Sequence, residues 1–243
     1  MVSPTMHQPQ PAPRTRHQQR DRAILDHVAR HRITIRRLLR QLFFPGTNPA
    51  AATKVTTRLC RHGRLARHVL CHPRVYFTLG PREARDRGLS PSRAEPLGPQ
   101  ALPSEYAAVA YATFGAVMHR RLTTDELAAL FPWTPPALAE VPHCLDESGQ
   151  PPVLERIRVD LGGTPDHVAR RCDADLADHR RLREFSTLLT QRRFRLVVVT
   201  GTPQKAVAIK EAIGRHAWPE GLRVHLAVVP DLLLLTARLN DGP

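Results

Sequence analysis

Lysine is nearly missing from this 243-residue sequence, because Lys54, Lys205 and Lys210 are the only three among 36 basic side chains. Neither of the glycine-rich phosphate-binding patterns, GxxxxGKS and GxGxxG, occurs. The turn VTGTP at 199–203 lies between an apolar run and a helical segment, where a helix N-terminus can hold an anion. Since both patterns are absent, we interpret this segment as an ordinary turn and expect no bound cofactor.

Cysteine is scarce as well, and the four cysteines form no CxxC pair. This spacing excludes a short disulfide framework and favours reduced thiols. Zn²⁺ accepts Cys and His ligands, and five such residues lie close together in the chain: Cys60, His62, His68, Cys71 and His72. Their spacing matches no common zinc finger, so we predict that they hold no metal.

Long apolar runs are also absent. The longest, near 226–236, is interrupted by Pro230 and Asp231 and is too short to cross a bilayer. The opening residues, MVSPTMHQPQPAPRTRHQQ, contain no apolar segment of the kind that a secretory signal requires. We therefore expect a soluble cytoplasmic protein with no membrane partner.

Acidic residues are rare in one part of the chain. Residues 1–100 hold 19 Arg and Lys against 5 Asp and Glu, whereas residues 101–243 hold 17 of each kind. The whole net charge of +14 therefore belongs to the first part. Because Arg and Lys contacts to phosphates supply most sequence-independent affinity for nucleic acid, this asymmetry predicts a polyanion-binding region followed by a neutral one.

The segment NPAAATKVTTRLCRHG, residues 48–63, predicts a helix with defined ends. Asn48 is a favourable N-cap, Pro49 suits the first helical position, and Gly63 suits the left-handed residue after the end. The apolar positions 52, 55 and 59 form a stripe that predicts packing. Another face carries Lys54, Thr57, Arg58 and Arg61.

The elements around this helix predict a winged helix-turn-helix. We expect a disordered basic arm at 1–17, a helix at about 18–31, and a second helix from Thr34, as N-cap, to about 42. A hairpin should follow, with strands at 65–70 and 75–79. Three helices and then a basic two-stranded hairpin are the order of elements in a winged helix, which we place at residues 18–88.

Residues 89–103, rich in Pro, Gly and Ser, predict a linker to a second domain at 104–243. Strands are expected at 141–145, 153–160, 194–200 and 222–229, the last two buried. Helices are expected at 104–120, after a cap at Thr123 or Thr124, at 165–191 and at 203–216. This alternation predicts a small α/β domain with a mixed or parallel sheet, so the whole chain belongs to the α+β or α/β class.

Several segments carry a resemblance to a known family: the I-T…L-L…L-F-F-P entry to the second helix, the R-L…R-L approach to the hairpin, its YFTLGPREA exit, and VDLGGT before a helix. In these segments the chain resembles the replication-relaxation family of bacterial plasmid and mobile-element proteins. The resemblance covers most of the chain. It implies a winged helix, a C-terminal domain related to the restriction-endonuclease fold, and DNA binding in replication or mobilisation, with no established reaction.

A nuclease of that fold needs one acid on a strand and an acidic-x-Lys arrangement on the next, so that two acids hold Mg²⁺ and the lysine orients water. Asp146 is a candidate for the first acid, and Glu155 or Asp160 for the second. The residues two positions after these are Ile157 and Gly162 rather than lysine. We therefore expect a degenerate restriction-endonuclease-like fold that serves dimerisation or partner contact without catalysis.

The sequence thus predicts a double-stranded DNA-binding protein that acts in replication, mobilisation or transcription control. The predicted major-groove residues are Lys54, Thr57, Arg58 and Arg61, and the predicted phosphate contacts are Arg36, Arg37, Arg40, Arg64, Arg67 and Arg74. Two alternatives remain open: a Mg²⁺-dependent nuclease targeted by the winged helix, and a winged helix that contacts protein or RNA. A second copy of the chain, or a replication or mobilisation protein, is left open as a further partner.

Overall fold

The computed structural model describes residues 13–115, 117–139, 141–177 and 179–240. We call residues 13–100 the N-terminal region and residues 101–240 the C-terminal region. The N-terminal region contains, in order, α1 (Pro13–His31), β1 (Thr34–Ile35), α2 (Arg36–Phe43), α3 (Ala50–Arg61), β2 (Leu65–Cys71), β3 (Arg74–Leu79) and α4 (Pro81–Asp86), followed by a 3-10 turn at Pro91–Ala94.

The N-terminal sheet is antiparallel, with the strand order β1-β3-β2. Thr34 lies opposite Phe77, and Leu65 lies opposite Leu79. The apolar stripes of the three helices pack together with these strands in one core, which includes Ile24, Val28, Leu39, Ala52, Val55 and Leu59. The helical spacing of these residues accounts for their burial on one face of each helix.

The C-terminal region begins with α5 (Ala101–Phe114), β4 (Arg120–Arg121), α6 (Thr124–Leu130), α7 (Pro136–Ala139), β5 (His143–Asp146) and β6 (Val153–Val159). It continues with α8 (Pro165–Ala177), a 3-10 turn at His179–Arg181, α9 (Arg183–Thr190), β7 (Phe194–Thr200), α10 (Pro203–Gly214), β8 (Arg223–Val228) and α11 (Leu232–Asn240). The five strands form a mixed sheet in the order β4-β5-β6-β7-β8. β4, β5 and β6 are antiparallel neighbours, and β6, β7 and β8 are parallel.

Helices cover both faces of this sheet. Leu196 and Val198 of β7 pack with α8, α9 and α10, whereas Val197 and Val199 pack with α5 and α11. Successive side chains of a strand point to opposite faces. The continuous apolar run of β7 is therefore buried because each face has its own helical layer.

The two regions share a third apolar core. Ile33, Leu38 and Tyr76 of the N-terminal region pack with Tyr106 and Val109 of α5. Polar contacts cross the same junction, since Arg30 forms two hydrogen bonds with the carboxylate of Glu126, at 2.6 and 2.9 Å, and Arg121 donates to the carbonyl of His31 at 3.0 Å. The N-terminal region is thus held against the C-terminal region by a buried surface.

The segment 89–103, predicted as a linker, packs on the N-terminal region. The backbone N–H of Leu97 donates to the hydroxyl of Tyr76 at 2.8 Å, and the guanidinium of Arg93 donates to the carbonyl of Ala29. Its last residues already belong to α5, which begins at Ala101 rather than at 104. The Pro and Gly content of this segment marks irregular backbone that is anchored by hydrogen bonds.

Two N-terminal predictions need correction. Thr34 is not the N-cap of α2, because it is buried in β1 opposite Phe77, and Ile35 precedes the helix with no side-chain cap. The pairing of β1 with β3 therefore takes the place of the predicted capping role of Thr34. Of the arm predicted at 1–17, residues 1–12 lie outside the described residues. Residues 13–17 belong to α1, which begins at Pro13.

Several C-terminal predictions also differ from the structure. The single helix expected at 165–191 is interrupted by the 3-10 turn at His179–Arg181, and His179 is buried beside the ring of Phe185. The strand expected to be buried at 222–229 is an edge strand with alternating partly exposed residues. α5 ends at Phe114 rather than near 120. The apolar run after Pro230 forms α11, a helix that was not predicted. The cap expected at Thr123 or Thr124 is Thr123, which forms a capping box with Glu126.

Candidate nucleic-acid interface and carboxylate cluster

α3 begins at Ala50, one residue later than predicted because Pro49 takes the N-cap position, and it ends where its sequence predicts. The side-chain oxygen of Asn48 accepts a hydrogen bond from the backbone N–H of Ala50 at 2.8 Å. At the other end Gly63 has φ +67°, and its N–H donates to the carbonyl of Cys60 at 2.9 Å. Such bonds satisfy backbone groups that a helix end otherwise leaves without partners.

α3 presents two different faces. Ala52, Val55 and Leu59 are buried in the N-terminal core. Lys54, Thr57, Arg58 and Arg61 are all exposed. Because Lys54 and Arg61 are seven residues apart, they lie on the same side of the helix. α3 therefore turns a cationic side away from the core.

Arginines of α2 and β2 lie near the end of α3. Burial raises the pKa of the Cys60 thiol, and the positive charges of Arg67 and Arg36 act against that rise. A charge must be close to have such an effect. Arg40 lies one helical turn after Arg36, and Arg36, Arg40 and Arg67 are all exposed. We call the set Arg36, Arg40, Lys54, Thr57, Arg58, Arg61 and Arg67 the basic face.

Members of the basic face differ in whether a carboxylate neutralises them. Arg58 pairs with Asp21 of α1 at 2.5 Å, although its side chain remains 47% exposed. Within the described residues, Lys54 and Arg61 form no ion pair. Their charges are therefore available to an external anion.

Three other predicted phosphate contacts also form internal contacts: Arg37, Arg64 and Arg74. Their partners are the ring of Phe114, with its centroid 4.8 Å away, the carboxylate of Glu83 at 2.5 Å, and the carboxylate of Asp231 at 2.8 Å. Burial raises the pKa of Glu83, but hydrogen bonds from Arg87 and Arg64 outweigh that effect and leave the pKa below its usual value. These arginines hold helices and regions together.

Acidic side chains are excluded from the chain that builds the basic face. Residues 27–82 contain 12 Arg and Lys and no Asp or Glu. The nearest acids along the chain lie on α1 and α4 and line one groove of about 660 Å³: Asp21, Asp26, Glu83 and Asp86. Four of the five acids of the N-terminal region thus line one groove, together with four arginines: Arg22, Arg64, Arg82 and Arg87.

The Cys and His residues considered for zinc do not form a site. His68 is within 2.9 Å of the hydroxyl of Thr78, and its ring lies beside that of Tyr76. In the described parts of the chain, the one group of three or more side chains able to hold a metal is elsewhere, at His119, Asp146 and Glu155.

Asp146 and Glu155 meet on the face of the sheet covered by α5. Glu155 lies opposite Cys144 on one side and opposite Arg195 on the other, and Asp146 is two residues after Cys144. Because alternate residues of a strand share a face, the two acids and Arg195 point the same way. His119, between α5 and β4, completes this group, which we call the carboxylate cluster.

Asp160, the alternative second acid, belongs to a different environment. Its carboxylate contacts the ammonium of Lys205 at 3.0 Å and accepts a hydrogen bond from the hydroxyl of Thr200 at 2.9 Å. It lies at the carboxyl end of β6, just after the strand. The structure therefore joins Asp146 with Glu155 and separates both from Asp160.

Neighbouring polar groups hold the carboxylate cluster. Burial raises the pKa of Asp146, but two hydrogen bonds from Ser148 and the charges of His119 and Arg195 leave that pKa below its usual value. Tyr111 donates from its hydroxyl to Glu155 at 3.0 Å. Burial and the charge of Glu155 raise the pKa of Tyr111, so this hydroxyl keeps its proton.

Sequence reasoning missed His119, Tyr111 and Arg195. Their separation from Asp146 and Glu155 along the chain hides the contact, because it depends on strand order and on where α5 crosses the sheet. One signal was present: Glu155 interrupts the otherwise apolar start of β6, Val-Leu-Glu. A carboxylate inside such a strand needs buried polar partners.

The geometry defines a mixed α+β protein with a basic N-terminal face and a buried carboxylate cluster. Scans against protein-family models, curated proteins and solved structures each give no match. Among the described residues, no helix is both long enough and apolar enough to cross a membrane.

Proposed function

We propose that the protein binds double-stranded DNA through its basic face, with α3 in the major groove and the β2–β3 hairpin beside the flanking phosphates. The observation that carries the proposal is that residues 27–82 contain no acid and expose cations from α2, α3 and β2 on neighbouring surfaces. A phosphate backbone is attracted by such a surface, whereas an acidic residue within it would oppose binding.

The arrangement of elements supports this docking. α2 and α3 are joined by the short segment 44–49, and a two-stranded hairpin follows α3, as in winged helix-turn-helix proteins. Arg67 lies on an exposed position of β2, and Arg36 and Arg40 lie on α2. On this proposal they meet phosphates, and the exposed side of α3 meets base edges. The process that we propose is replication, mobilisation or transcription control.

A duplex-binding titration of the full chain at several salt concentrations tests the proposal. The full chain is required because the N-terminal region shares a core with α5. We expect log affinity to fall linearly with log salt, by roughly 0.9 for each phosphate contact. Lys54→Ala should weaken binding, and Lys210→Ala, which changes an exposed lysine of α10, should not. Salt-independent binding, or equal effects of both substitutions, would contradict the proposal.

The protein- or RNA-binding alternative gives a different result in the same titration. It predicts weak, salt-insensitive affinity for duplex DNA. Binding to single-stranded or folded RNA in preference to duplex DNA would favour that alternative over ours.

The nuclease alternative has one observation in its favour, since Asp146 and Glu155 meet. On our proposal the C-terminal region cleaves nothing, because Ile157, two residues after Glu155, stands where a nuclease of this kind has the lysine that orients the attacking water. Incubation of plasmid with the protein and Mg²⁺ or Mn²⁺ should produce no nicks. Nicking that is lost in Asp146→Ala would establish the nuclease instead.

A further inference from the structure

His119, Asp146 and Glu155 come from three separate segments, and their ligand atoms all lie within 4.8 Å of one another. The side chain of Glu155 is completely buried, and those of His119 and Asp146 are each 11% exposed. Two carboxylates and one imidazole at this spacing are suited to a divalent cation. The cluster is therefore more than a group of surface acids.

The contact between His119 and Glu155 points to a shared ligand. The Nδ1 of His119 and the Oε2 of Glu155 are 2.9 Å apart, close enough for an ion pair when the ring is protonated, and neither buried atom has a hydrogen-bond partner in the described structure. In tetrahedral geometry with bonds of about 2.05 Å, two ligands of one ion lie about 3.3 Å apart, so a small separation of these two atoms would admit an ion. With a neutral imidazole, an ion between them would satisfy both atoms, which would otherwise carry a desolvation cost.

The surroundings fix the ligands in place. The ring of Tyr111 stacks on that of His119, with centroids 4.6 Å apart, and its hydroxyl donates to the Oε1 of Glu155. Ser148 donates twice to the Oδ1 of Asp146, which leaves the Oδ2 of Asp146 for the cluster. Metal ligands are commonly oriented by hydrogen bonds of this kind.

Arg195 supplies the compensating charge. One of its nitrogens lies 2.9 Å from Glu155 and 3.3 Å from Asp146, so it bridges the two carboxylates. Its side chain is 21% exposed and has solvent on one side. The guanidinium can therefore turn outward when another cation takes over its role.

We propose that His119, Asp146 and Glu155 bind one divalent transition-metal ion, with Arg195 as the cation that the ion displaces from the carboxylates. One nitrogen and two carboxylates favour Mn²⁺ or Zn²⁺ over Ca²⁺, which takes six to eight oxygens, and over Mg²⁺, which prefers oxygen ligands and retains water. This site does not depend on the proposed DNA binding, and its test contains no DNA.

Mn²⁺ titration of the full chain without an affinity tag tests the proposal, with free Mn²⁺ followed by electron paramagnetic resonance. We expect one ion per chain. His119→Ala and Glu155→Gln should each weaken binding by roughly tenfold or more, since even changes behind the ligands cost 10–100-fold. The matched controls are His72→Ala and Glu147→Gln, both at exposed positions, which should bind as the wild type does.

Arg195→Gln distinguishes loss of a ligand from loss of folding. This substitution removes the competing cation, so Mn²⁺ should bind more tightly than to the wild type. Circular dichroism of each variant reports whether it is folded. The proposal is overturned if neither the wild type nor Arg195→Gln binds Mn²⁺, or if folded His119→Ala and Glu155→Gln bind as the wild type does.

Discussion

The basic face and the carboxylate cluster use charge in opposite ways. The basic face exposes cations that are mostly free of internal partners, and the stretch of chain that builds it contains no acid. The carboxylate cluster buries two acids, which accept hydrogen bonds from Arg195, Tyr111 and Ser148, and it leaves the Oε2 of Glu155 without one. A charge left in water at a surface costs little and can attract a distant polyanion. A buried charge is tolerated only with partners, so it marks a place built for a counter-ion.

The largest expected effect is that of pH on the free energy of unfolding, because three buried histidines stay uncharged in the folded protein. Burial lowers the pKa of His27 to about 4, of His31 to about 2, and of His143 to about 3. Below pH 6.5 the unfolded chain binds protons at these sites and the folded chain does not, so the free energy of unfolding falls. Each histidine contributes about 2 kcal/mol, so we expect a total loss of about 6–7 kcal/mol between pH 6.5 and 4.5.

Urea unfolding at pH 6.5, 5.5 and 4.5 measures this loss. His143→Asn should reduce the loss by about a third, since one of the three histidines is removed. Equal stability at the three pH values would show that these histidines are protonated in the folded chain, and would remove the contrast between the interior and the basic face.

The shared core between the two regions gives the next largest effect. Leu38 is fully buried there, so Leu38→Ala should lower the free energy of unfolding by about 2–5 kcal/mol. Trp133 and Trp218 are the only tryptophans and both lie in the C-terminal region, so their fluorescence reports that region. We expect the fluorescence transition to shift with the N-terminal substitution. If the unfolding transition shifts by circular dichroism but not by fluorescence, the two regions unfold separately. Leu130→Ala, at an exposed site, is the control.

Arg61 and Arg64 form a matched pair that sharpens the comparison. Arg61→Ala should weaken duplex binding and reduce the salt slope by about one, with no loss of stability. Arg64→Ala should leave duplex binding nearly unchanged and lower the free energy of unfolding by about 1–2 kcal/mol, because Glu83 loses one of its two arginines. The reverse pattern would place the nucleic-acid surface on the groove between α1 and α4.

The pair of Arg58 with Asp21 gives the last test, and Asp21→Asn has the smallest effect. Arg58→Ala should weaken specific binding by about 1–3 kcal/mol if Arg58 reads a base, and equally on all sequences if it meets a phosphate. Asp21→Asn should strengthen binding by less than about 1 kcal/mol, because it frees Arg58 and removes a nearby negative charge. Competition titrations with two duplexes measure both. No change in either variant would exclude Arg58 from the interface.

Local signals predicted much of the fold. The caps and the left-handed Gly63 fixed the limits of α3, the alternating segments fixed the hairpin, and the apolar run at 194–200 fixed β7. These elements depend on neighbours a few residues away. Thr34 and the 165–191 helix were predicted wrongly because strand pairing with Phe77 and the burial of His179 depend on residues far along the chain.

The sequence alone determined where the positive charge lies, because composition does not depend on folding, and it determined the elements that short-range backbone and side-chain preferences specify. Only the tertiary structure decided which arginines are free and which are used internally, as with Arg61 and Arg64 three residues apart. It also decided that Asp146, Glu155 and His119 meet while Asp160 does not. The physical reason is that ion pairs and ligand sets form between side chains that strand order and helix packing bring together. These contacts cannot be read from the spacing of the residues along the chain.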